Sequence, residues 1–212
     1  MKTHPVLFST EMVQAILGNK KNQTRRTQGL ENINKNPEEW ILDGLRIDNK
    51  FIFHKKDKSV EYFLAPKFLV GDLLWVRETF CGIIQKDESV KYHYKASVSS
   101  QFYEAVKLFW KPSIHMPKKA SRIFLEVINV KVERLQAISE EDAIAEGCSL
   151  YGLFGEYKGS LHPVGDGRYR SYKLASSAFK NVWESINGEQ SWQSNPWVWV
   201  YEFKKIENPF NF

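Results

Sequence analysis

The sequence of 212 residues predicts a single α+β domain. Apolar runs typical of strands, either alternating or continuous, lie at residues 73–78, 90–95, 123–132 and 197–203. Apolar side chains at helical spacing predict helices over residues 10–17 and 174–186. No internal repeat, low-complexity tract or linker separates these segments, so we expect one hydrophobic core with the 123–132 run as its central strand.

The composition favours a globular protein without metal or cofactor. Hydrophobic residues make up 42% and charged residues 26% of the chain, which argues against disorder. No run approaches the roughly 20 apolar residues of a membrane span, and the first residues do not resemble a signal peptide, so we expect a cytoplasmic protein. Cys81 and Cys148 are too few for a disulfide framework, and the five histidines are scattered.

The first helix presents a basic segment at its C-terminal end. Ser9 or Thr10 is expected to cap its N-terminus, and the dipeptide at residues 18–19, Gly-Asn, is expected to end it. Residues 20–26 follow with four cations, at a helix end that favours positive charge. We therefore expect these cations to be presented on a loop, where functional residues are common.

Five further segments carry weaker predictions. Residues 27–50 are polar and irregular, which indicates a surface excursion, while 51–53 is a short strand candidate. Residues 100–110 are a candidate helix, and a capping box at 139–142 predicts a short helix that ends at Gly147. Residues 151–172 hold five of the twelve glycines and predict a loop or lid. Tyr157, His162, Arg168 and Tyr169 of this segment are candidates for contacting a ligand if the segment closes over it.

The charge and the aromatic content suit an anionic, planar partner. Lys and Arg number 30 against 25 Asp and Glu, for a net charge of +5, and aromatic residues make up 14%. The cations cluster in two groups: Lys20, Lys21, Arg25 and Arg26, then Lys118, Lys119 and Arg122. Cations interleaved with aromatic rings are typical of proteins that bind single-stranded nucleic acid or a nucleobase, although most rings in any chain pack in the core.

Several sequence blocks resemble the ASCH family, and most closely a branch encoded by phages and prophages. The blocks occupy residues 7–17, 21–26 (Lys-Asn-Gln-Thr-Arg-Arg), 71–78 (Gly-Asp-Leu-Leu-Trp-Val-Arg-Glu), 111–117, 120–122, 138–143 and 195–200. They span nearly the whole chain in the expected order. The resemblance implies a PUA-like β-barrel with helices packed around a cleft. Relative to the compact members of the family, we expect insertions at 27–50 and 149–172. The resemblance also implies a ligand that is a nucleoside or single-stranded or modified RNA.

Some small members of the family are amidohydrolases that remove the acetyl group from the exocyclic amine of acetylated cytidine. The resemblance places their base, nucleophile and proton donor on Lys21, Thr24 and Glu146. A threonine hydroxyl needs a base to take its proton, and Lys21 is a base only when its amine is neutral. A desolvated cleft and the neighbouring Arg25 and Arg26 favour the neutral amine, whereas an ionised Glu146 opposes it. Arg25 is also a candidate for stabilising an oxyanion.

Other polar residues of the matching blocks are candidate ligand contacts. Trp75 and Arg77 share one strand face, where they suit base stacking and phosphate binding. Alternatively, Trp75 packs under the lid and Arg77 pairs with a carboxylate. Ser113, His115 and Arg122 lie around a proline-bounded loop that enters the central strand. His115 suits a base edge or a purely structural hydrogen bond.

Three functions remain open on the sequence alone: an amidohydrolase, a non-catalytic RNA-binding module and a ribonuclease. The non-functional alternative for the trio is equally specific. Lys21 and Arg25 would be solvated cations at a helix end, and Thr24 a turn hydroxyl bonded to its own backbone. Glu146 would belong to a solvated acidic face.

Overall fold

A computed structural model describes residues 1–99, 109–151, 156–158 and 170–210. Within these residues the fold is mixed α+β, as predicted. The helices are α1 (Thr10–Leu17), α2 (Glu140–Ala145) and α3 (Ala175–Asn187). The strands are β1 (Thr3–Leu7), β2 (Gln23–Arg26), β3 (Trp40–Leu45), β4 (Phe51–Lys55), β5 (Glu61–Leu64), β6 (Leu73–Arg77), β7 (Phe80–Ile84), β8 (Val90–Tyr94), β9 (Phe124–Arg134), β10 (Leu150–Tyr151), β11 (Glu156–Lys158), β12 (Ser171–Tyr172) and β13 (Trp197–Ile206).

The main sheet has five strands in the order β1-β6-β9-β13-β2. β1 and β6 are parallel, and the other pairs are antiparallel. β9 lies in the middle, which confirms the predicted central strand. β2 and β1 form the two edges, so one edge strand carries the predicted basic segment.

β13 is buried on both of its faces. Trp197, Trp199 and Tyr201 belong to one hydrophobic cluster, while Val198 and Val200 belong to a second. The alternation in this strand therefore divides its side chains between two clusters rather than between core and solvent. This placement explains why the run is apolar at every position from 197 to 201.

The expectation that residues 27–50 form only a surface excursion is wrong. Leu30, Ile33 and Trp40 are buried in the first cluster, and the second half of the segment forms β3. β3 pairs with β4 and β5 in a separate three-stranded sheet, which confirms the strand at residues 51–53. Single apolar residues separated by polar ones give no periodic signal, so the sequence did not reveal this packing.

The helix ends follow the predicted chemistry closely. The Met12 amide donates to the Ser9 hydroxyl at 3.3 Å, and the Asp142 amide donates to the Ser139 hydroxyl at 3.0 Å. After α1 the left-handed position is taken by Asn19 at φ 55°, whereas Gly18 has φ −81°. From the predicted apolar stripe of α3, Phe179 and Trp183 pack into the second cluster, whereas Leu174 and Ile186 are exposed.

The glycine-rich region, predicted as a loop or lid, contains short strands in the parts that the structure describes. β10, β11 and β12 form a small antiparallel sheet, and Tyr157 packs against the second cluster. Residues 152–155 and 159–169 lie outside the described residues, as do His162, Arg168 and Tyr169. Most of the candidate helix at 100–110 also lies outside them.

The pairing of the main sheet does not close into a barrel within the described residues. A side chain nevertheless joins the ends of its two edge strands, because Arg26 Nη2 of β2 donates to the Leu7 carbonyl of β1 at 2.9 Å. Among the described helices, none has the length and apolar character that crossing a membrane requires. The edge of β2 is bordered by α1, α2 and α3, and this border contains the candidate site.

Candidate functional site

Lys21 lies at the centre of a buried polar cluster. Its ammonium group donates to Glu146 Oε2 at 2.7 Å, to the Gln23 carbonyl at 2.7 Å and to the Glu146 carbonyl at 2.8 Å. The side chain is fully buried. Burial lowers the pKa of Lys21 below its ordinary value, and the contact with the Glu146 carboxylate opposes part of that shift. The expectation of a solvated cation is therefore wrong.

The turn after α1 fixes the Lys21 backbone. The amides of Lys20 and Lys21 both donate to the Ala15 carbonyl, at 2.8 and 3.2 Å, and the Asn22 amide donates to the Ala145 carbonyl at 2.9 Å. The turn is thereby bonded both to α1 and to the end of α2. As a result Lys21 and Glu146, which are 125 residues apart in the sequence, meet in one place.

Gly147 allows this close approach. It has φ +103°, a conformation that side chains rarely adopt. A Cβ at this position would lie 3.2 Å from the Ala15 Cβ and 3.4 Å from the Lys21 Cβ. The glycine predicted as a helix stop therefore also makes room for the lysine.

Arg25 binds the second oxygen of the same carboxylate. Its Nη1 lies 3.3 Å from Glu146 Oε1, while its Nη2 lies 2.6 Å from Glu133 Oε1 and 2.7 Å from Asp142 Oδ2. Burial lowers the pKa of Arg25, but the three carboxylates together raise it above its ordinary value. The guanidinium is thus permanently charged and holds Glu146 in position between itself and Lys21.

The charges in this cluster are balanced. Lys131 Nζ completes it, at 3.0 Å from Asp142 Oδ2 and 3.4 Å from Glu133 Oε2. Three cations, Lys21, Arg25 and Lys131, thus face three carboxylates. The expectation of a solvated acidic face at Glu146 is wrong, because the Glu146 side chain is only 5% exposed and is bonded to two cations.

Thr24 lies beside this cluster with an available hydroxyl. Its backbone pairs with Tyr201 of β13, and the residue is buried. Within the described ranges no hydrogen bond involves its side chain, so the hydroxyl is not bonded to its own turn. Thr24 and Arg26 point to one face of the sheet and Arg25 to the other, as side chains alternate along a strand. All three line the space beside β2, because β2 is an edge strand.

That space is a cavity of about 760 Å³. Thr24 and Glu146 both line it, whereas Lys21 lies behind the wall in contact with Glu146. The apolar part of the wall includes Phe8, Phe179 and Trp183. The volume lies within the range of about 300–1,000 Å³ typical of small-ligand sites, and a mostly apolar wall with a few polar groups is their usual composition.

Arg26 supplies a second cation to this cavity. Its guanidinium carbon lies 5.5 Å from the centre of the Phe8 ring, and burial lowers the pKa of Arg26. The Lys21 amine lies 5.7 Å from the same ring centre on the inner side. The indole N–H of Trp183 is buried without a hydrogen-bond partner in the described structure, so the apolar wall contains one unused donor.

A second hydroxyl or thiol group of the cavity wall, Cys148, is a poor nucleophile. Burial raises the pKa of Cys148 to about 12. A thiol with that pKa is protonated at neutral pH. Across the described residues no group of three His, Cys, Asp or Glu side chains is arranged to hold a metal ion.

The remaining predicted contacts divide between two places. Ser113 lines the cavity, together with Thr24, Arg25, Arg26 and Glu146 of the predicted set. His115 is exposed outside it. Trp75 and Arg77 lie on the outer face of β6, with the Arg77 guanidinium carbon 5.5 Å from the Trp75 ring centre. Leu74 and Val76 face the core, as predicted from the alternation.

Arg122 is engaged in a structural ion pair. Its Nε and Nη2 donate to the two oxygens of the buried Glu78 carboxylate at 2.8 and 2.9 Å, and its Nη1 donates to the Ser97 hydroxyl at 2.7 Å. It also lies 4.1 Å from the Tyr94 ring centre. With these donors used, Arg122 has little capacity left for a ligand.

Sequence reasoning missed three partners of the cluster. Glu133, Asp142 and Gln23 bind Arg25, although Asp142 was expected only to start a helix and Gln23 only to belong to the 21–26 block. β13 separates the strand of Arg25 from the strand of Glu133, so no pattern within one segment indicated that contact. The sequence also did not indicate that Phe179 and Trp183 line the cavity, because apolar residues at helical spacing are typical of a helix that packs on the core.

No protein-family model, curated protein or solved structure matches the chain.

Proposed function

We propose that the chain is an ASCH-type, PUA-like protein that binds a nucleobase in the β2-edge cavity and removes the acyl group from the exocyclic amine of acetylated cytidine. The observation that carries the proposal is the buried Lys21–Glu146 pair beside the unbonded Thr24 hydroxyl. Thr24 and Glu146 line a cavity that suits a small ligand, and Lys21 contacts Glu146 directly behind this wall, which supports roles for the three as nucleophile, acid and base.

The fold supports this assignment in two respects. The bond from the Arg26 side chain to the Leu7 carbonyl links the two edge strands of the main sheet, which agrees with a sheet curved towards a barrel. Elements from α1, the end of α2 and α3 surround the cavity, which matches a barrel with helices packed around a cleft.

The first half-reaction uses the pair in its neutral form. Starting from the ion pair, a proton passes from Lys21 to Glu146 across their 2.7 Å contact, which supplies the neutral amine and the carboxylic acid that the reaction needs. The Thr24 oxygen attacks the acyl carbon while its proton moves to Lys21. Glu146 then protonates the departing exocyclic nitrogen, the C–N bond breaks, and free cytidine and an acyl ester on Thr24 remain.

The second half-reaction starts from the ion pair that the first one leaves. The Glu146 carboxylate accepts a proton from a water molecule, whose oxygen attacks the acyl carbon of the ester. Lys21 returns a proton to the Thr24 oxygen as the C–O bond breaks, which releases the carboxylic acid. Lys21 and Glu146 are then neutral again, so one shared proton returns to its starting position over the cycle.

The cavity wall suits the ligand as well as the reaction. Phe8, Phe179 and Trp183 provide aromatic surface for a pyrimidine ring. Arg25 and Arg26 bring positive charge to the same wall, where negative charge develops on the acyl oxygen.

Hydrolysis of acetylated cytidine by the purified protein, followed chromatographically, tests the proposal. We expect turnover by the wild type, loss of turnover with Thr24→Ala, partial activity with Thr24→Ser, and a fall of at least about a hundredfold with Lys21→Met. Thr3→Ala, an exposed strand threonine far from the site in β1, is the matched control.

Two results would contradict the proposal. One is the absence of turnover by folded wild-type protein, which would favour the non-catalytic RNA-binding module. The other is cleavage of RNA that requires a metal ion, which would favour a nuclease. Insensitivity of the hydrolysis to chelators agrees with the proposal.

A further inference from the structure

The free edge of β2 forms part of the cavity wall. β2 pairs with β13 on one side only. In an antiparallel pair, every second residue exchanges main-chain hydrogen bonds with the partner strand, and the residues between them point their N–H and C=O groups to the other side. The Asn22 carbonyl accepts from the Phe203 amide at 2.8 Å, so Asn22 is a residue of the first kind. Thr24 is therefore bonded to β13 as well, whereas Gln23 and Arg25 turn their main-chain groups to the free edge.

A second contact supports this direction for the Arg25 amide. The Lys21 ammonium donates to the Gln23 carbonyl at 2.7 Å, so that carbonyl points away from β13. Main-chain groups two residues apart on a strand point the same way, and the N–H and C=O of one residue share a side. The Arg25 N–H therefore points to the free edge, and within the described residues it makes no hydrogen bond.

The part of Arg25 that reaches the cavity is its main chain. Its side chain is 0% exposed, whereas the whole residue is 4% exposed and lines the cavity. The guanidinium is held behind the wall by Glu133, Asp142 and Glu146. The accessible surface of Arg25 therefore belongs to main-chain atoms, on the side to which its N–H points. The Arg25 guanidinium, the oxyanion contact suggested by the sequence, is not the group that a ligand meets.

This N–H lies next to the nucleophile of the proposed reaction. The Thr24 hydroxyl and the Arg25 nitrogen are joined through only the Cβ, Cα and carbonyl carbon of Thr24, and both residues line the cavity. When the Thr24 oxygen bonds to an acyl carbon, the acyl oxygen is held close to this N–H. The main-chain N–H of the residue after a nucleophile is a known oxyanion donor, since it is fixed in place before the reaction begins.

Arg26 provides a second donor near Thr24. The two side chains share one face of β2, because they are two residues apart on the strand. In the described structure the guanidinium makes one hydrogen bond, from Nη2 to the Leu7 carbonyl at 2.9 Å. A guanidinium has five N–H donors. No nitrogen of Arg26 is both buried and unbonded in that structure, so its unused nitrogens are accessible, and the residue lines the cavity.

We infer that the Arg25 main-chain N–H and the Arg26 guanidinium form the oxyanion hole of the proposed hydrolysis, an inference that rests on the proposed function. As the bond from the Thr24 oxygen to the acyl carbon forms, the Thr24 proton moves to Lys21. The electron pair of the acyl C=O bond moves onto its oxygen, and the two donors stabilise the resulting negative charge. The C=O bond re-forms when the C–N bond breaks and Glu146 protonates the nitrogen. The same oxygen becomes negative again when water attacks the ester.

The direct test replaces the Arg25 amide by an ester. Cell-free translation with a tRNA that carries the α-hydroxy analogue of arginine changes the N–H at position 25 to an oxygen and keeps the side chain. With acetylated cytidine as the substrate, we expect kcat to fall about a hundred- to a thousandfold, the usual effect of losing one oxyanion donor. The ratio kcat/KM should fall equally, because the donor acts mainly in the transition state.

The same ester at Arg134 of β9 is the matched control. The Leu135 amide donates to the Pro196 carbonyl at 2.8 Å, so by the same alternation the Arg134 N–H points away from β13. It makes no hydrogen bond in the described structure, and Arg134 does not line the cavity. Each ester weakens a carbonyl that faces β13, that of Thr24 or that of Glu133. The Arg134 ester should therefore keep the wild-type kcat.

Two substitutions test the second donor. Arg26→Met removes the guanidinium and should also lower kcat. Arg26→Lys keeps a positive charge and should restore part of the lost activity. Both substitutions remove the hydrogen bond to the Leu7 carbonyl, so a purely structural role of Arg26 predicts the same loss in both.

Acetate binding tests the site without turnover. Acetate carries on its oxygens the negative charge that the acyl oxygen develops. In nitrogen-15-labelled protein, we expect added acetate to shift the Arg25 amide proton downfield, because a hydrogen bond to an anion deshields the proton. The Arg134 amide should not move.

Two results would overturn the inference. One is a kcat for the Arg25 ester equal to that of the Arg134 ester. The other is an Arg25 amide signal that acetate leaves unchanged. Wild-type protein that does not hydrolyse acetylated cytidine contradicts the proposed function, and the acetate titration then decides by itself whether the Arg25 N–H binds an anionic oxygen.

Discussion

Breaking the Lys21–Glu146 pair with Glu146→Gln is expected to destabilise the fold strongly. The two charged groups lie 2.7 Å apart, and neither side chain is more than 5% exposed. At an effective dielectric constant of about 20 their attraction is about 6 kcal/mol, partly offset by desolvation. Removing one partner of such a pair typically costs about 3–5 kcal/mol, and we expect a loss in this range.

The reciprocal variant is expected to cost less. Lys21→Met leaves the Glu146 carboxylate with Arg25 as a partner at 3.3 Å, whereas Glu146→Gln leaves Lys21 with only the neutral amide and backbone carbonyls. Urea unfolding followed by circular dichroism measures both free energies. Glu39→Gln, which removes the exposed partner of the partly exposed Lys55, is the matched control and should change the free energy of unfolding far less.

The free energy of unfolding of the Glu146→Gln variant is expected to depend on pH through Lys21. Burial lowers the pKa of Lys21 in the folded protein below its unfolded value of 10.5, and Glu146 counteracts part of this shift. Without the carboxylate the folded pKa falls further, so the unfolded chain binds more protons between the two values. The variant should therefore regain stability relative to wild type as the pH rises towards 10.5. A small loss equal to that of the Glu39 control, independent of pH, would refute the reasoning.

Two further predictions concern the same wall. Gly147→Ala should lower the free energy of unfolding by about 1–3 kcal/mol, because the position has a positive φ and the new Cβ meets the Ala15 and Lys21 side chains. Gly71→Ala is the control: it has φ +86° but no atom within 4 Å of the new Cβ, so it should cost less. Urea unfolding measures both, and equal losses would contradict the crowding at Gly147. Cys148, whose pKa burial raises to about 12, should react with a thiol reagent at pH 8 far more slowly in the folded protein than in urea, because little of the thiol is ionised, and equal rates would contradict this.

The secondary structure of the main sheet and the helices followed from local patterns. The Ser9 cap, the β9 strand and the α3 helix each depend on a pattern of nearby residues, and the structure confirms all three. The burial of the 27–50 segment was not predictable in this way. Leu30 and Ile33 are isolated apolar residues whose partners come from distant strands, so only the tertiary fold reveals their packing.

The candidate site was predictable in part for the same reason. The 21–26 block and the short helix before Gly147 are local motifs, and the structure brings Lys21 and Glu146 into contact. The partners of Arg25 depend on the pairing of β2 with β13 and of β13 with β9, which no single segment encodes. The pairing of Arg122 with Glu78 was likewise not predictable, because the fold brings together two residues that are distant in the sequence.

The most direct test of the central claim is a search for an acyl group on Thr24 during turnover. Wild-type protein is mixed with acetylated cytidine, quenched in acid within the first turnover and digested for mass spectrometry, with Thr24→Ala treated in parallel. We expect acetylation of the peptide that carries Thr24 in the wild type alone, because attack by its hydroxyl leaves an ester. Hydrolysis by Thr24→Ala at the wild-type rate, with no acetyl group on that peptide, would contradict a nucleophilic role for Thr24.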